Sequence, residues 1–501
     1  MKYNIGFSIL LPVFMLLGVS GNVEALQSQT KDNRSPNIII IFADDLGYGD
    51  LSSYGHPTIK TPNLDRLAEE GMRFTDFHVT SGVCTPSRAS LLTGSYPIRV
   101  GLASGYIPGR EQDIGGKKIL PWGVLIPLSE YGLHPDEFTI ADYLKKEGYT
   151  TGHIGKWHLG HHPPFLPTRQ GFDYYFGIPY SNDMGHNNYS FIKDGFISGP
   201  TPILRNEKVI EVDPDQSLLT RRYADEAIDF ITKHREKPFF LYLAHSMPHV
   251  PIAASHHFKD RSEYGIYGDV IEELDWSVGH ITKHLDKLGL DDNTIVMFTS
   301  DNGAAVWEGE GGWVWTSDLD GRPTAGDLNY RSGSNEPLRG SKATTWEGGF
   351  RVPFIVRWPG HIPAGSITEQ LTTSMDILPT IAAITGGQLP NDRIIDGHNI
   401  WPLLSGEPGA VSPYEAFYYY RYDRLQAVRS GKWKLHLFRP EEGRTTMLYN
   451  LEEDIGETTD VSEKHPEVVK RLQRLADEAR RDLGDSVTGQ EGKNVRPIGE
   501  L

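Results

Sequence analysis

Cysteine is nearly missing. Cys84 is the single one in 501 residues, which excludes an intrachain disulfide and a thiolate-rich metal site. Long hydrophobic runs are missing too. The extended apolar segment Ile5 to Val19 falls short of the ~20 residues that span a bilayer, so no membrane span is predicted in the mature chain. Positive charge is in deficit: 49 Lys+Arg against 66 Asp+Glu give a net charge of −17. That balance argues against a nucleic-acid binder, whose affinity rests on clustered cations. It also requires that any anionic ligand meet a locally basic pocket within an acidic whole. Internal repeats and low-complexity tracts are absent.

What is present belongs to a folded chain: 38% hydrophobic and 11% aromatic residues can fill a sizeable core. The length fits two domains or one large one. Lys2, the apolar segment and the small-residue site Val23-Glu24-Ala25 read as a signal peptide over residues 1–25. No cysteine follows that segment, so a lipoprotein anchor is not expected. Export with one unpaired thiol predicts a periplasmic or secreted, bacterial protein and a cysteine kept for chemistry. The sequons at Asn33 and Asn188 would matter only in a eukaryotic secretory route.

Asn37 to Phe42 is a β-branched run of the kind found in a strand covered on both faces. Thr150 to Ile154, Phe239 to Ala244, Thr294 to Thr299 and Pro353 to Arg357 read as further strands. Thr61 to Gly71, Phe138 to Glu147, Leu219 to Arg235 and Val270 to Leu288 have helical apolar spacing. The alternation predicts an α/β fold: a large, mostly parallel sheet sandwiched by helices. Asp44 and Asp45, Lys156 and His158, His249, and Asp301 and Asn302 all follow predicted strand ends. In such sheets the edge at the carboxyl ends of the strands is where ligands bind.

An apolar run, Ala89 to Leu92, predicts a helix beginning near Cys84, with Arg88 one turn on along the same face. A helix N-terminus offers free N–H groups and the positive end of its dipole, which favours a thiolate or a bound oxyanion. Asp44, Asp45, Asp301 and Asn302 are hard oxygen donors. Without a second cysteine or a close histidine pair they suit Ca²⁺, with Mg²⁺ second and zinc disfavoured.

Cys84-Thr85-Pro86-Ser87-Arg88, followed by Leu92-Thr93-Gly94, matches C-x-P-S-R-x3-L-T-G, the signature of the sulfatase family. Asp44 to Gly47, Gly155 to Gly160, Ser300 to Gly303 and Gly340 to Gly349 resemble other blocks of that family, in its order. The resemblance, to the type I, arylsulfatase-like members of the alkaline-phosphatase-like superfamily, runs from about Pro36 to the end. It implies that Cys84 is oxidised to formylglycine by a formylglycine-generating enzyme that reads the same signature. One hydroxyl of the hydrated aldehyde would attack sulfur and displace the alcohol. Deprotonation of the other would then expel sulfate and restore the aldehyde. The implied metal ligands are Asp44, Asp45, Asp301, Asn302 and the modified Cys84. Lys156 and Lys342 would hold sulfate oxygens, with Ser181 at a pocket position. Arg88 would orient the nucleophile, His158 act as base and His249 as acid. His249 is chosen over His245 because His-x-Pro is the matching pattern.

The resemblance implies a catalytic domain over 36–385. A Gly/Pro/Asn-rich linker is expected over 386–413 and a smaller antiparallel sheet with a helix over 414–485, ahead of a tail over 486–501. The smaller unit carries no catalytic cluster and can complete one wall of the pocket. Residues 103–134 and 304–335 read as insertions, the second rich in aromatics (Trp307, Trp313, Trp315, Tyr330), and His186, Asn187 and Asn188 are further pocket candidates. A sulfated carbohydrate is the preferred substrate class, an aryl sulfate the simpler one. The competing readings are a phosphonate or phosphate ester hydrolase of the same superfamily, a thiol phosphatase using Cys84, and a non-catalytic sulfated-glycan-binding protein.

Overall fold

The centre of the molecule is the strand β1 (Asn37–Ala43), whose seven residues are all buried. In this computed structural model the described residues are 1–2, 35–103, 113–114, 117–118, 123–185, 199–305, 316–317, 323–324, 333–437 and 446–501. Ser35–Leu501 is one compact unit. Residues 3–25 of the signal-peptide segment, both sequons, His186 and Asn187, and the four aromatics of the second insertion lie outside the described residues.

Ten strands form the main sheet: β1, β2 (Met72–Phe74), β3 (Thr150–Gly155), β4 (Tyr174–Gly177), β5 (Pro202–Arg205), β6 (Lys208–Val212), β7 (Phe239–Ala244), β8 (Thr294–Ser300), β9 (Phe354–Arg357) and β10 (Ser366–Thr368). Their order is β6-β5-β4-β3-β7-β1-β8-β9-β2-β10. The five central strands β4, β3, β7, β1 and β8 run parallel. Antiparallel partners flank them on both sides.

Alternation along β1 sends Ile38, Ile40 and Phe42 into one core and Ile39, Ile41 and Ala43 into the other. The first core is closed by α2 (Cys84–Thr93), α3 (Ile140–Lys146) and α6 (Ile377–Thr385). The second is closed by α1 (Pro62–Glu69), α4 (Leu219–His234) and α5 (Ile266–Leu288). A strand sandwiched this way is apolar throughout, because neither face meets water. Each buried Ile contributes about 1.5–3 kcal/mol of transfer free energy.

A second, antiparallel sheet of β11 (Phe417–Arg421), β12 (Arg424–Ser430), β13 (Trp433–His436) and β14 (Met447–Asn450) packs on α7 (Pro466–Leu483). The stretch read as a linker sends Ile400, Leu403 and Leu404 into the first core, and its Asp396 pairs with Arg99 at 2.7 Å. No helix among the described residues is long and apolar enough to cross a membrane.

Candidate active site

Lys156 and Asp301 each extend the parallel ladder by one residue, and Asp44 is tied to the loop after β7. Asp44 N donates to Met247 O at 3.2 Å, Lys156 N to Ala244 O at 2.8 Å, and Asp301 N to Ala43 O at 3.1 Å. Backbone hydrogen bonds thus bring residues from three separate strands to one edge. Gly155 permits the closest approach: its φ is +110°, and a Cβ there would lie 1.8 Å from the Ala244 carbonyl oxygen. Asp45 (φ 67°), His158 (φ 63°) and Ala343 (φ 65°) take left-handed backbone that costs a non-glycine residue roughly 1–3 kcal/mol. Such strain is concentrated where it aims side chains into a site.

Cys84 is the first residue of α2, after an extended Val83, and is buried. Its Sγ lies 3.6 Å from Asp44 Oδ1 and 3.7 Å from Lys342 Nζ. Lys156 Nζ sits 2.5 Å from Asp44 Oδ2 and donates to Ser181 Oγ at 3.1 Å. Lys342 Nζ is 2.7 Å from Asp45 Oδ1. Asn302 Nδ2 donates to the same Asp45 oxygen at 2.7 Å. Arg88 Nε and Nη2 both donate to Asp301 Oδ2, at 3.0 and 2.8 Å, and Nη1 donates to the Lys156 carbonyl at 3.0 Å. His249 Nε2 is 3.7 Å from Asp45 Oδ2, while its Nδ1 is 2.7 Å from the Val250 carbonyl.

A carbonyl only accepts, so His249 carries a proton on Nδ1 and turns Nε2 toward the cluster. His158 is the reverse. Its Nε2 is 2.8 Å from the Leu125 carbonyl and therefore protonated, which leaves Nδ1 as a buried lone pair with no partner. All eleven residues singled out in the sequence stand at this edge. His245 does not: its Nε2 turns to Ser277 Oγ at 3.1 Å, toward α5.

Burial pushes the Asp44 carboxyl up, but Lys156, His249, Arg88 and Lys342 outweigh it and hold the group well below the usual carboxylate range. Asp301 goes the other way, to about 7, driven by burial and then by the Asp44 charge, against Arg88 and Lys156. Burial and then the Lys156 charge push His158 well below the usual histidine range, so it is a neutral imidazole.

Of the two alternatives a helix start offers, a thiolate or a bound oxyanion, the thiolate does not hold at residue 84. Burial is the largest influence on the Cys84 thiol and pushes it up, and the two lysines do not offset it. The helix N-terminus is present, but the desolvated sulfur also faces Asp44 and Asp301, so the protonated thiol prevails.

Ligand atoms of Asp44, Asp45, Cys84 and His249 lie within 4.8 Å of one another. Asn302 Oδ1, from the same cluster, is buried with no hydrogen-bond partner. An unsatisfied buried carbonyl costs about 1–3 kcal/mol, and a hard cation is the kind of partner it lacks. The oxygen-rich donor set fits Ca²⁺ or Mg²⁺. A second grouping, Asp76, His78 and Glu347, is already paired with Arg429, Lys434 and Arg351 and ties β2's flank to the small sheet.

Two site residues were missed in the sequence, Thr85 and Leu125. Thr85 occupies the unspecified position of the signature, and Leu125 lies inside a presumed insertion. Neither has a chemistry that would single it out.

Comparison with known proteins bears on the chemistry. Residues 36–387 match the sulfatase family model, and residues 341–482 match the model for the C-terminal region of N-sulphoglucosamine sulphohydrolase. Human arylsulfatase A is 39% identical over 482 residues, covering 88% of this chain and 87% of that protein. Rat N-acetylgalactosamine-6-sulfatase is 38% identical over 480 residues, covering 92% and 82%. The crystal structure of Ps i-CgsB in complex with k-i-k-neocarrahexaose superposes with a TM-score of 0.69 at 30% identity, covering 89% and 92% of the two chains. A family model that runs through all four strand ends of the site, and relatives aligned over nearly the whole chain, agree on one conclusion: this protein belongs to the sulfatase family and is a sulfuric ester hydrolase.

Proposed function

We propose that this protein is an exported, calcium-dependent hydrolase of carbohydrate sulfate esters in which Cys84 is converted to formylglycine. The observation that carries this reading is the position of Cys84. Its sulfur lies between the Asp44 carboxylate and the Lys342 ammonium, buried and held as a thiol. A protonated thiol is a poor nucleophile, whereas a hydrated aldehyde at the same position offers two hydroxyl oxygens to the same neighbours.

Asp44, Asp45, Asp301 and Asn302 would hold the Ca²⁺ together with residue 84. When bound, the ion supplies Lewis-acid polarisation of a sulfate oxygen and of the nucleophile. Lys156 and Lys342 hold the remaining sulfate oxygens, with Ser181 fixing the Lys156 ammonium. Arg88 anchors Asp301 and neutralises part of the carboxylate charge. One hydroxyl of residue 84 gives up its proton to solvent, and its oxygen bonds to sulfur as the bond from sulfur to the alcohol oxygen breaks. His249 delivers a proton from Nε2 to that leaving oxygen. The second hydroxyl then gives its proton to His158 Nδ1, the carbon–oxygen bond to sulfate breaks, and the aldehyde returns.

The carbohydrate class is supported by two similar proteins: one relative is an N-acetylgalactosamine-6-sulfatase and one solved neighbour holds a neocarrahexaose. Peptide mass spectrometry across Cys84, on protein from its native host, tests the nucleophile; an unmodified thiol would overturn it. A panel of sulfated sugars tests the substrate class, and turnover confined to small aryl sulfates would sink it.

A further inference from the structure

Next to the loop that leads into Cys84 lies a shallow, solvent-open recess. Its floor includes Ser81, Gly82 and Val83, which lead into Cys84, and Ala343, Thr344 and Thr345, which follow Lys342. The two loops are joined by the Ala343 N–H, which donates to the Gly82 carbonyl at 2.8 Å. The facing wall is the tip of the β11–β12 hairpin, with Tyr420, Arg421 and Tyr422. So the small sheet, which has no part in the reacting cluster, reaches the rim of the site.

That tip is built at a cost. Tyr422 has φ 59°, a left-handed conformation that is a genuine outlier for a bulky side chain. Its ring packs against Gly123, where a Cβ would come within 2.2 Å of Cε1. Gly123 lies two residues before Leu125, the partner of His158. The Arg421 guanidinium lies 5.6 Å from the centre of the Tyr422 ring. Arg421 is exposed and forms no ion pair among the described residues, whereas Arg429 and Lys434 on the same sheet are each paired with carboxylates. Among the described residues it is also the only charged one lining the recess. In a chain of net charge −17, an uncommitted guanidinium facing a recess free of carboxylates is a local anion site.

We propose that this recess is the leaving-group subsite, and that it takes a sugar residue bearing a second anionic group, sulfate or carboxylate, against Arg421. This rests on the sulfate-ester reading above and narrows it to polyanionic glycans. The guanidinium fork matches the paired oxygens of such a group, and the Tyr422 ring, held by Gly123, offers an apolar face to the sugar.

The test compares wild type with R421Q and R421K, using 4-nitrocatechol sulfate as reporter. Dextran sulfate oligosaccharide and inorganic sulfate serve as inhibitors, and dextran sulfate binding is followed in parallel by calorimetry. R421Q is expected to weaken dextran sulfate about fivefold to tenfold, and R421K less, because the fork is lost but the charge kept. The Ki of inorganic sulfate, which has no leaving group, should stay within about twofold of wild type. Unchanged dextran sulfate affinity in R421Q would overturn the subsite, as would a parallel shift of the inorganic sulfate Ki. A wild type that turns over no sulfate ester would instead sink the hydrolytic reading, and the calorimetry would still decide the anion preference of the recess.

Discussion

The Thr85 hydroxyl donates to the His158 carbonyl at 3.0 Å and accepts from the Leu125 N–H at 3.1 Å. Since the Leu125 carbonyl accepts from His158 Nε2, three hydrogen bonds close a buried ring around one imidazole. The ring fixes which nitrogen of His158 is free. T85V keeps the shape and removes both bonds, leaving two backbone groups unsatisfied at about 1–3 kcal/mol each. Its kcat is expected to fall about tenfold to a hundredfold, with T85S within about threefold of wild type. Equal extents of residue 84 modification in both, by mass spectrometry, would assign the difference to His158.

His249 and His245 make a matched pair. H249A should lose about 10²–10⁴-fold in kcat on a sugar sulfate, and far less on an aryl sulfate whose phenolate leaves unaided. H245Q should keep near-normal activity, since His245 faces Ser277. An equal loss on both substrate types in H249A would remove the acid role.

His245 also sets a pH dependence of stability. Burial lowers it to about 3, so the folded state keeps it neutral while the unfolded chain protonates it below about 6.5. The unfolded state therefore binds more protons between those values, and the contribution is lost as pH falls through that window. Against H245Q, wild type should lose about 1.4 kcal/mol per pH unit between pH 6 and 4, read by urea unfolding. A constant difference would refute it.

Calcium should stabilise the fold without any substrate present. At a hundredfold excess over Kd, binding to the native state alone is worth about 2.7 kcal/mol. Scanning calorimetry should show the transition rise on adding Ca²⁺ and fall with chelator, and D45N should abolish most of the response. A transition indifferent to Ca²⁺ would count against the ion.

Glu347 is buried under three partners: Lys434 Nζ at 2.9 Å, Tyr419 Oη at 2.7 Å and His78 Nε2 at 2.9 Å. Burial opposes its charge, yet Lys434, His78 and Arg429 hold the carboxyl well below its usual range. E347Q removes one carboxylate of the network while Lys434 keeps Glu457 at 2.9 Å and Arg429 keeps Asp76, so it should cost about 1–3 kcal/mol in chemical unfolding. A loss under 1 kcal/mol would mean that the network relaxes around the change.

Much of this was legible because parallel strands declare themselves. Ile38 to Ile41 are apolar in sequence because both faces of β1 are covered, and the polar residues that follow such runs fall at one edge of the sheet. The antiparallel β5–β6 hairpin escaped, since Val209, Ile210 and Val212 lie at an exposed edge and carry no burial pattern. The thiolate expectation failed for a related reason: a helix start is visible in sequence, but the burial that outweighs it is not. Thr85 and Leu125 were invisible because their role is a contact between segments forty residues apart.

The rungs that Lys156 and Asp301 add beyond their strands make these groups part of the sheet's centre rather than loops hung upon it. Local fraying cannot release them, since β3 would have to part from β7 to free Lys156, and β8 from β1 to free Asp301. Heat should therefore silence the enzyme abruptly, at the temperature where the whole unit melts. Below that temperature, wear confined to its surface would leave turnover untouched.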